Sequence, residues 1–211
     1  MQQNRSQDNQ WLNWAREIQA LAQTGNTYAE NEWQHERYQR LFEIAAEIIQ
    51  SKTNISWDVI VEDFRFQTGY ATPKIDVRGA VFQEEKILLV KERLDGGWTM
   101  PGGWVDVGDT PSGSVEREIL EESGYRVKAI KVIGVYDANR VKPYAFYHAF
   151  KLVFLCEILG GESRTSNETS AVKFFPLDMI PNHFAGERTQ YRHILDAFGA
   201  FKNSSIDTIF D

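Results

Sequence analysis

The sequence predicts an α/β sandwich preceded by a small all-α domain, and three observations predict it. Apolar residues recur at helical spacing through the first 66 positions, and the period shortens to that of strands after Gln67-Thr68-Gly69-Tyr70-Ala71-Thr72-Pro73. One glutamate-rich helix then stands between strand-like runs. The expected divisions are a helical domain at 1–66, a linker at 67–74, an α/β domain at 75–205 and a tail at 206–211.

Trp11, Trp14, Ala15, Ile18, Leu21 and Ala22 follow helical spacing, with Asp8 or Asn9 as cap and Gly25 as stop. A second helix is expected from about Asn31 to Gln50, with Tyr38, Leu41, Phe42, Ala45, Ile48 and Ile49 on one side. Trp57, Ile60, Val61 and Phe64 repeat the pattern in a third, from Ser56 to about Gln67. Three helices over roughly 60 residues bury only a marginal core, so their apolar surface is expected to be completed by the following domain or by a second subunit. A helix stop combined with a proline makes 67–73 read as the linker.

Beyond it, Val77, Ala80 and Val81 and then Ile87, Leu88, Leu89 and Val90 are short β-rich runs around the polar turn Gln83-Glu84-Glu85, which makes a hairpin. Leu94 to Trp98 reads as a loop leading into Thr99-Met100-Pro101-Gly102. Thr110 is a fitting N-cap, Pro111 a first helical residue and Gly124 a left-handed stop, so a helix of about 13 residues fits between them. Val127 to Tyr136 and Ala149 to Ile158 are two long strands joined by Asp137 to His148, and Val172 to Phe175 is a last one. Pro176 and Pro181 then precede a helix striped by Tyr191, Ile194, Leu195 and Phe198.

Composition narrows the function. The formal charge of −7 and pI near 5.2 disfavour sequence-independent nucleic-acid binding, which needs clustered Lys and Arg, but suit a small anion held through a metal. The single Cys156, inside an apolar run, reads as a buried small hydrophobe, and the four His residues show no zinc spacing. The N-terminus carries no apolar stretch flanked by a cleavage site, and no segment reaches the ~18 apolar residues that span a bilayer. The protein is expected to be cytoplasmic.

Chemistry concentrates in Gly103 to Tyr125. Glu118, Glu121 and Glu122 lie three and four positions apart and share one face of the expected helix, while Val115 and Ile119 occupy another. Carboxylates about 4 Å apart repel by roughly 4 kcal/mol at an effective dielectric near 20, and Arg117 is the only cation inside the cluster. Hard oxygen donors so arranged suit Mg²⁺ or Mn²⁺.

This stretch resembles the Nudix hydrolase box. Gly103 opens it, Asp109 falls where Glu is expected, and Arg117-Glu118-Ile119-Leu120-Glu121-Glu122-Ser123-Gly124-Tyr125 completes it, with Tyr125 aromatic where an aliphatic residue is usual. The resemblance implies the Nudix fold, a mixed sheet between helices in an α/β/α sandwich. It implies that the Gly102 carbonyl, Glu118 and Glu122 ligate Mg²⁺ or Mn²⁺ with Glu121 as a further ligand, and that Arg117 orients the glutamates. The base is a box glutamate, Glu118 or Glu121, or a carboxylate on a later loop, for which Glu168 is the candidate. The helical start, the linker TGYATPKIDVRGAVF and the later ETSAVKFF are similar to a two-domain subgroup described as ADP-ribose or CDP-choline pyrophosphatases, which implies a homodimer.

For the substrate, Tyr144, Phe146 and Tyr147 could stack on a base, and Asn139 and Arg140 could bond it or its sugar and phosphate. Phe146 fits plain strand packing equally well. Arg78 interrupts an apolar strand and fits either a phosphate contact or a peripheral ion pair. The expected reaction is hydrolysis of a nucleoside diphosphate linked to another moiety, CDP-choline or ADP-ribose in class, to a nucleoside monophosphate and a phosphorylated partner. Removal of pyrophosphate from RNA 5′ ends or nucleoside triphosphates, and a non-catalytic nucleotide sensor, are the alternatives.

Overall fold

The computed structural model describes residues 10–138, 148–186 and 188–211. The chain divides at Pro73 into two compact units.

The first unit holds α1 (Gln10–Thr27), α2 (Glu32–Gln50) and α3 (Trp57–Arg65). Asn31 caps α2 by accepting the Gln34 amide at 3.1 Å, as its short polar side chain allows. Gly25 does not stop α1, contrary to expectation, and the reason is a neighbour in space. A Cβ there would lie 2.1 Å from Cε1 of Tyr38, so the glycine admits the ring of α2 against α1. Leu12, Ala15, Phe42, Ala45, Ile49, Ile60 and Phe64 form the buried core of these helices. Trp33 and Phe66 remain 74% and 79% exposed.

The second unit contains β1 (Lys74–Gln83), β2 (Lys86–Glu92), β3 (Trp98–Thr99), α4 (Pro111–Ser123), β4 (Tyr125–Asp137), β5 (Ala149–Gly161), β6 (Thr169–Phe175), α5 (Tyr191–Lys202) and β7 (Ile209–Phe210). Strand order is β3-β2-β1-β5-β4-β7, with β6 added to β2. β1 runs parallel to β5 and antiparallel to β2, so the sheet is mixed. The β1–β2 turn places Glu84 and Glu85 at φ 49° and 59°, the geometry of a tight hairpin without its usual Asn-Gly. Residues 206–211, expected as a tail, carry β7, which pairs with Gly134 and Val135 of β4.

Alternation along the strands directs side chains to two helical layers. Val77 and Val81 of β1 join Leu88, Val127 and Phe154 under Val115 and Ile119 of α4. Ala80 joins Leu89, Ile133, Tyr136 and Val153 under Ile194, Ala197 and Phe198 of α5. Each fully buried branched side chain contributes about 1.5–3 kcal/mol. The result is an α/β/α sandwich with the N-terminal end of β1 and the loop after β3 at one rim. Among the described residues no helix is long and apolar enough to cross a membrane.

Candidate active site

The site begins with the phase of α4. Thr110 Oγ1 accepts the Gly113 amide at 3.1 Å, Pro111 opens the helix, and Gly124 closes it at φ 81° with its amide on the Leu120 carbonyl. With both ends fixed, Val115 and Ile119 face the sheet and Glu118 and Glu122 line the flank beside the loop that follows β3.

That loop is held on β1. The Val77 amide donates to the Gly103 carbonyl at 2.8 Å, the Gly79 amide to the Pro101 carbonyl at 2.9 Å, and the Val105 amide to the Ile75 carbonyl at 3.0 Å. Gly102, at φ 143°, has no room for a side chain, because a Cβ would fall 2.0 Å from the Val77 carbonyl oxygen. Its amide instead donates to Glu122 Oε2 at 3.0 Å. A Cβ on Gly103 would come within 3.0 Å of Glu118 Oε2. Two glycines and two glutamates therefore converge.

Environment separates the three box glutamates. Glu122 is 5% exposed, and burial pushes its carboxyl up to about 7 against the lowering effects of Arg78 and the Gly102 amide. Burial also raises Glu118, with Arg117 opposing. Glu121 is turned outward, its Oε2 3.2 Å from Arg117 Nη1. Arg117 also lies 2.9 Å from Glu118 Oε1, 3.4 Å from Asp106 Oδ2 and 3.7 Å from Asp109 Oδ2, so the shorter Asp109 still reaches it. Ser114 Oγ donates to the same Asp109 oxygen at 3.3 Å.

Among the described residues no three His, Cys, Asp or Glu side chains are gathered tightly enough to hold an ion as they stand. The donor chemistry nonetheless fits a hard divalent cation: two carboxylates, both raised by burial, stand beside the backbone of Gly102 and Gly103, which carries no side chain. Glu121 stands apart from them, with its Oε2 paired to Arg117.

Glu168 is exposed, but its loop is tied to the same helix. Its carbonyl accepts the Arg93 amide at 2.8 Å, and the neighbouring Thr169 hydroxyl donates to the Glu122 carbonyl at 2.9 Å. Asn139, Tyr144 and Tyr147, expected as substrate contacts, lie outside the described residues, as do Arg140 and Phe146.

Arg78 is 4% exposed, and its ion pair is buried rather than peripheral. Its Nη2 donates to Asp76 Oδ1 at 2.8 Å and its Nη1 to the Met100 carbonyl at 3.3 Å. Lys151, opposite Asp76 in the β1–β5 register, donates to the other carboxylate oxygen. Burial alone would raise Asp76, but Arg78 and Lys151 outweigh it and hold the carboxyl low. Burial pulls Lys151 down to about 8 although Asp76 opposes.

The sequence reading missed Asp76, Lys151, Glu92 and Thr189. Glu92 ends β2 at a bulge, is nearly buried, and stands 3.6 Å from Arg188 Nε. The available signal was charge inside strands: Asp76 and Lys151 interrupt apolar runs just as Arg78 does.

The chain is similar to known proteins along both of its units. Residues 72–198 match the family model described as a NUDIX domain, and residues 9–64 match one described as a UDP-X-like, N-terminal oligomerisation domain. The Bacillus subtilis (strain 168) protein named "Putative ADP-ribose pyrophosphatase YjhB" is 35% identical over 202 residues, 95% of this chain and 97% of its own. An ADP-ribose pyrophosphatase structure from Streptococcus suis 89-1591 is 38% identical with a TM-score of 0.60, covering 66% of this chain and 100% of that one. The structure titled UDP-X diphosphatase is 26% identical with a TM-score of 0.62, covering 95% of this chain and 98% of that one.

Proposed function

The chain belongs to the Nudix hydrolase family and acts on a pyrophosphate bond, and from that premise we propose that the bond joins a nucleoside diphosphate to a second group, ADP-ribose or CDP-choline in class. The products are a nucleoside monophosphate and a phosphorylated partner. The observation that carries this reading is the convergence of Glu118 and Glu122 on the Gly102–Gly103 backbone. Similarity to a protein named for ADP-ribose along 95% of the chain supports the substrate class.

Nudix hydrolases generally use divalent metal ions. In this reading the Gly102 carbonyl, Glu118 and Glu122 would hold Mg²⁺ or Mn²⁺, with Glu121 as a further ligand. The bound ion supplies positive charge to phosphoryl oxygens and acidifies water. Arg117, central to four carboxylates, orients the glutamates. Glu168 takes the proton of the attacking water, a role its tether beside Glu122 supports, with Glu118 or Glu121 as the other bases within the box. Arg78 acts as a fixed positive charge beside Glu122, since its guanidinium is engaged by Asp76 and Met100. Asn139, Tyr144 and Tyr147 bind the nucleoside.

The N-terminal helices form the interface of a homodimer in this reading. The exposed Trp33 and Phe66 and the oligomerisation domain matched by residues 9–64 support it.

A panel of ADP-ribose, CDP-alcohols and dinucleoside polyphosphates, assayed for monophosphate release with Mg²⁺ and Mn²⁺, tests the function. AMP from ADP-ribose or CMP from CDP-choline is expected. Turnover confined to dinucleoside polyphosphates would overturn the substrate class.

A further inference from the structure

The loop that carries Gly102 is held from two sides, and only one of them is β1. On the other side lies the segment before α5. The Trp98 amide donates to the His183 carbonyl and the Ala185 amide to the Trp98 carbonyl, each at 2.9 Å. A Cβ on Gly97 would fall 2.3 Å from the Ala185 nitrogen, so the two backbones touch.

Thr189 ends this contact. It is 1% exposed, its Oγ1 accepts the Met100 amide at 2.9 Å, and it lies 2.8 Å from Thr99 Oγ1. Thr99 Oγ1 also lies 3.0 Å from the Met100 carbonyl, so the two hydroxyls and both polar atoms of Met100 form one connected set. The Met100 carbonyl also accepts from Arg78. Both polar atoms of one buried peptide position are thus satisfied by side chains, two residues before the amide that grips Glu122.

We infer that Thr189 is a positioning residue for the ion-binding end of the site, holding Met100 so that the Gly102 backbone keeps its place against Glu118 and Glu122. The inference rests on the reading of those three residues as ion ligands. Thr189 touches neither ion nor substrate. Its hydroxyl, absent from valine of nearly the same shape, keeps the loop from shifting along β1. Losing it leaves the buried Met100 amide unpaired, which the loop relieves by moving.

Thr189→Val, Thr189→Ser and Glu122→Gln are titrated with Mn²⁺ in the full chain without substrate, free ion being read by electron paramagnetic resonance and folding by circular dichroism. Thr189→Val is expected to bind Mn²⁺ about tenfold or more weakly with its fold retained, and Thr189→Ser within about twofold of the parent. Parental affinity in Thr189→Val, with binding lost in Glu122→Gln, overturns the positioning role and leaves the ion site standing. Parental affinity in Glu122→Gln overturns both. If Thr189→Val does not fold, Thr189→Ala removes the same acceptor of the Met100 amide with a smaller side chain and is read identically.

Discussion

The amide of Gly102 donates to Oε2 of Glu122 across 3.0 Å, joining a loop and a helix that are 20 positions apart. This bond singles out Glu122 from its neighbour Glu121, which faces outward to Arg117. Glu122→Gln should lower kcat by about 100-fold or more with the circular dichroism spectrum unchanged, whereas Glu121→Gln should cost no more than about tenfold. Steady-state rates at saturating Mn²⁺ decide it, and equal losses would remove the distinction drawn from their exposure.

Gly102→Ala should fail for a steric reason. The added methyl meets the Val77 carbonyl oxygen at 2.0 Å and sits on backbone at φ 143°, where side chains are rare. A loss of at least about 2 kcal/mol in urea unfolding is expected together with lost turnover. Unchanged stability would show that the loop can leave β1 freely.

Asp76→Asn removes the carboxylate shared by Arg78 and Lys151, both almost fully buried. Stranding buried cations typically costs about 3–5 kcal/mol. Denaturant midpoints of Asp76→Asn and of Lys151→Met measure it, and the aspartate variant should be the weaker of the two.

His193 makes stability depend on acid. Burial, with Lys151 and Arg192 adding, lowers its pKa from 6.5 to about 3, and its Nδ1 accepts the Gln190 amide, which requires the neutral ring. The unfolded chain therefore binds a proton that the native chain refuses between about pH 6.5 and 3, so this contribution to stability is intact above 6.5 and falls as pH drops, by at most about 1.4 kcal/mol per unit. His193→Gln should flatten the difference in unfolding free energy between pH 7 and pH 4.5. A parallel pH profile in the two proteins would contradict it.

Local signals were legible and non-local ones were not. Thr110, Pro111 and Gly124 set the ends of α4 because caps act within one turn, and the faces of Val115, Ile119, Glu118 and Glu122 follow from that phase. Gly25 misled because its purpose is set by Tyr38 in another helix. Spacing placed Glu121 on the acidic flank, but its direction depends on Arg117, which collects four carboxylates at once. Asp76 and Arg78, two apart on one strand, could have been paired from alternation alone. Lys151 and Thr189 could not, since a parallel register and an irregular segment bring them in.

The parallel union of β1 with β5 matches Lys74 to Ala149 and continues to Val81 with Cys156. Closing so long a stretch of chain is entropically slow, and topologies dominated by distant pairings fold orders of magnitude more slowly than local ones. The Gly102 loop docks on that same β1, so the site is expected to mature only once this distant pairing is in place.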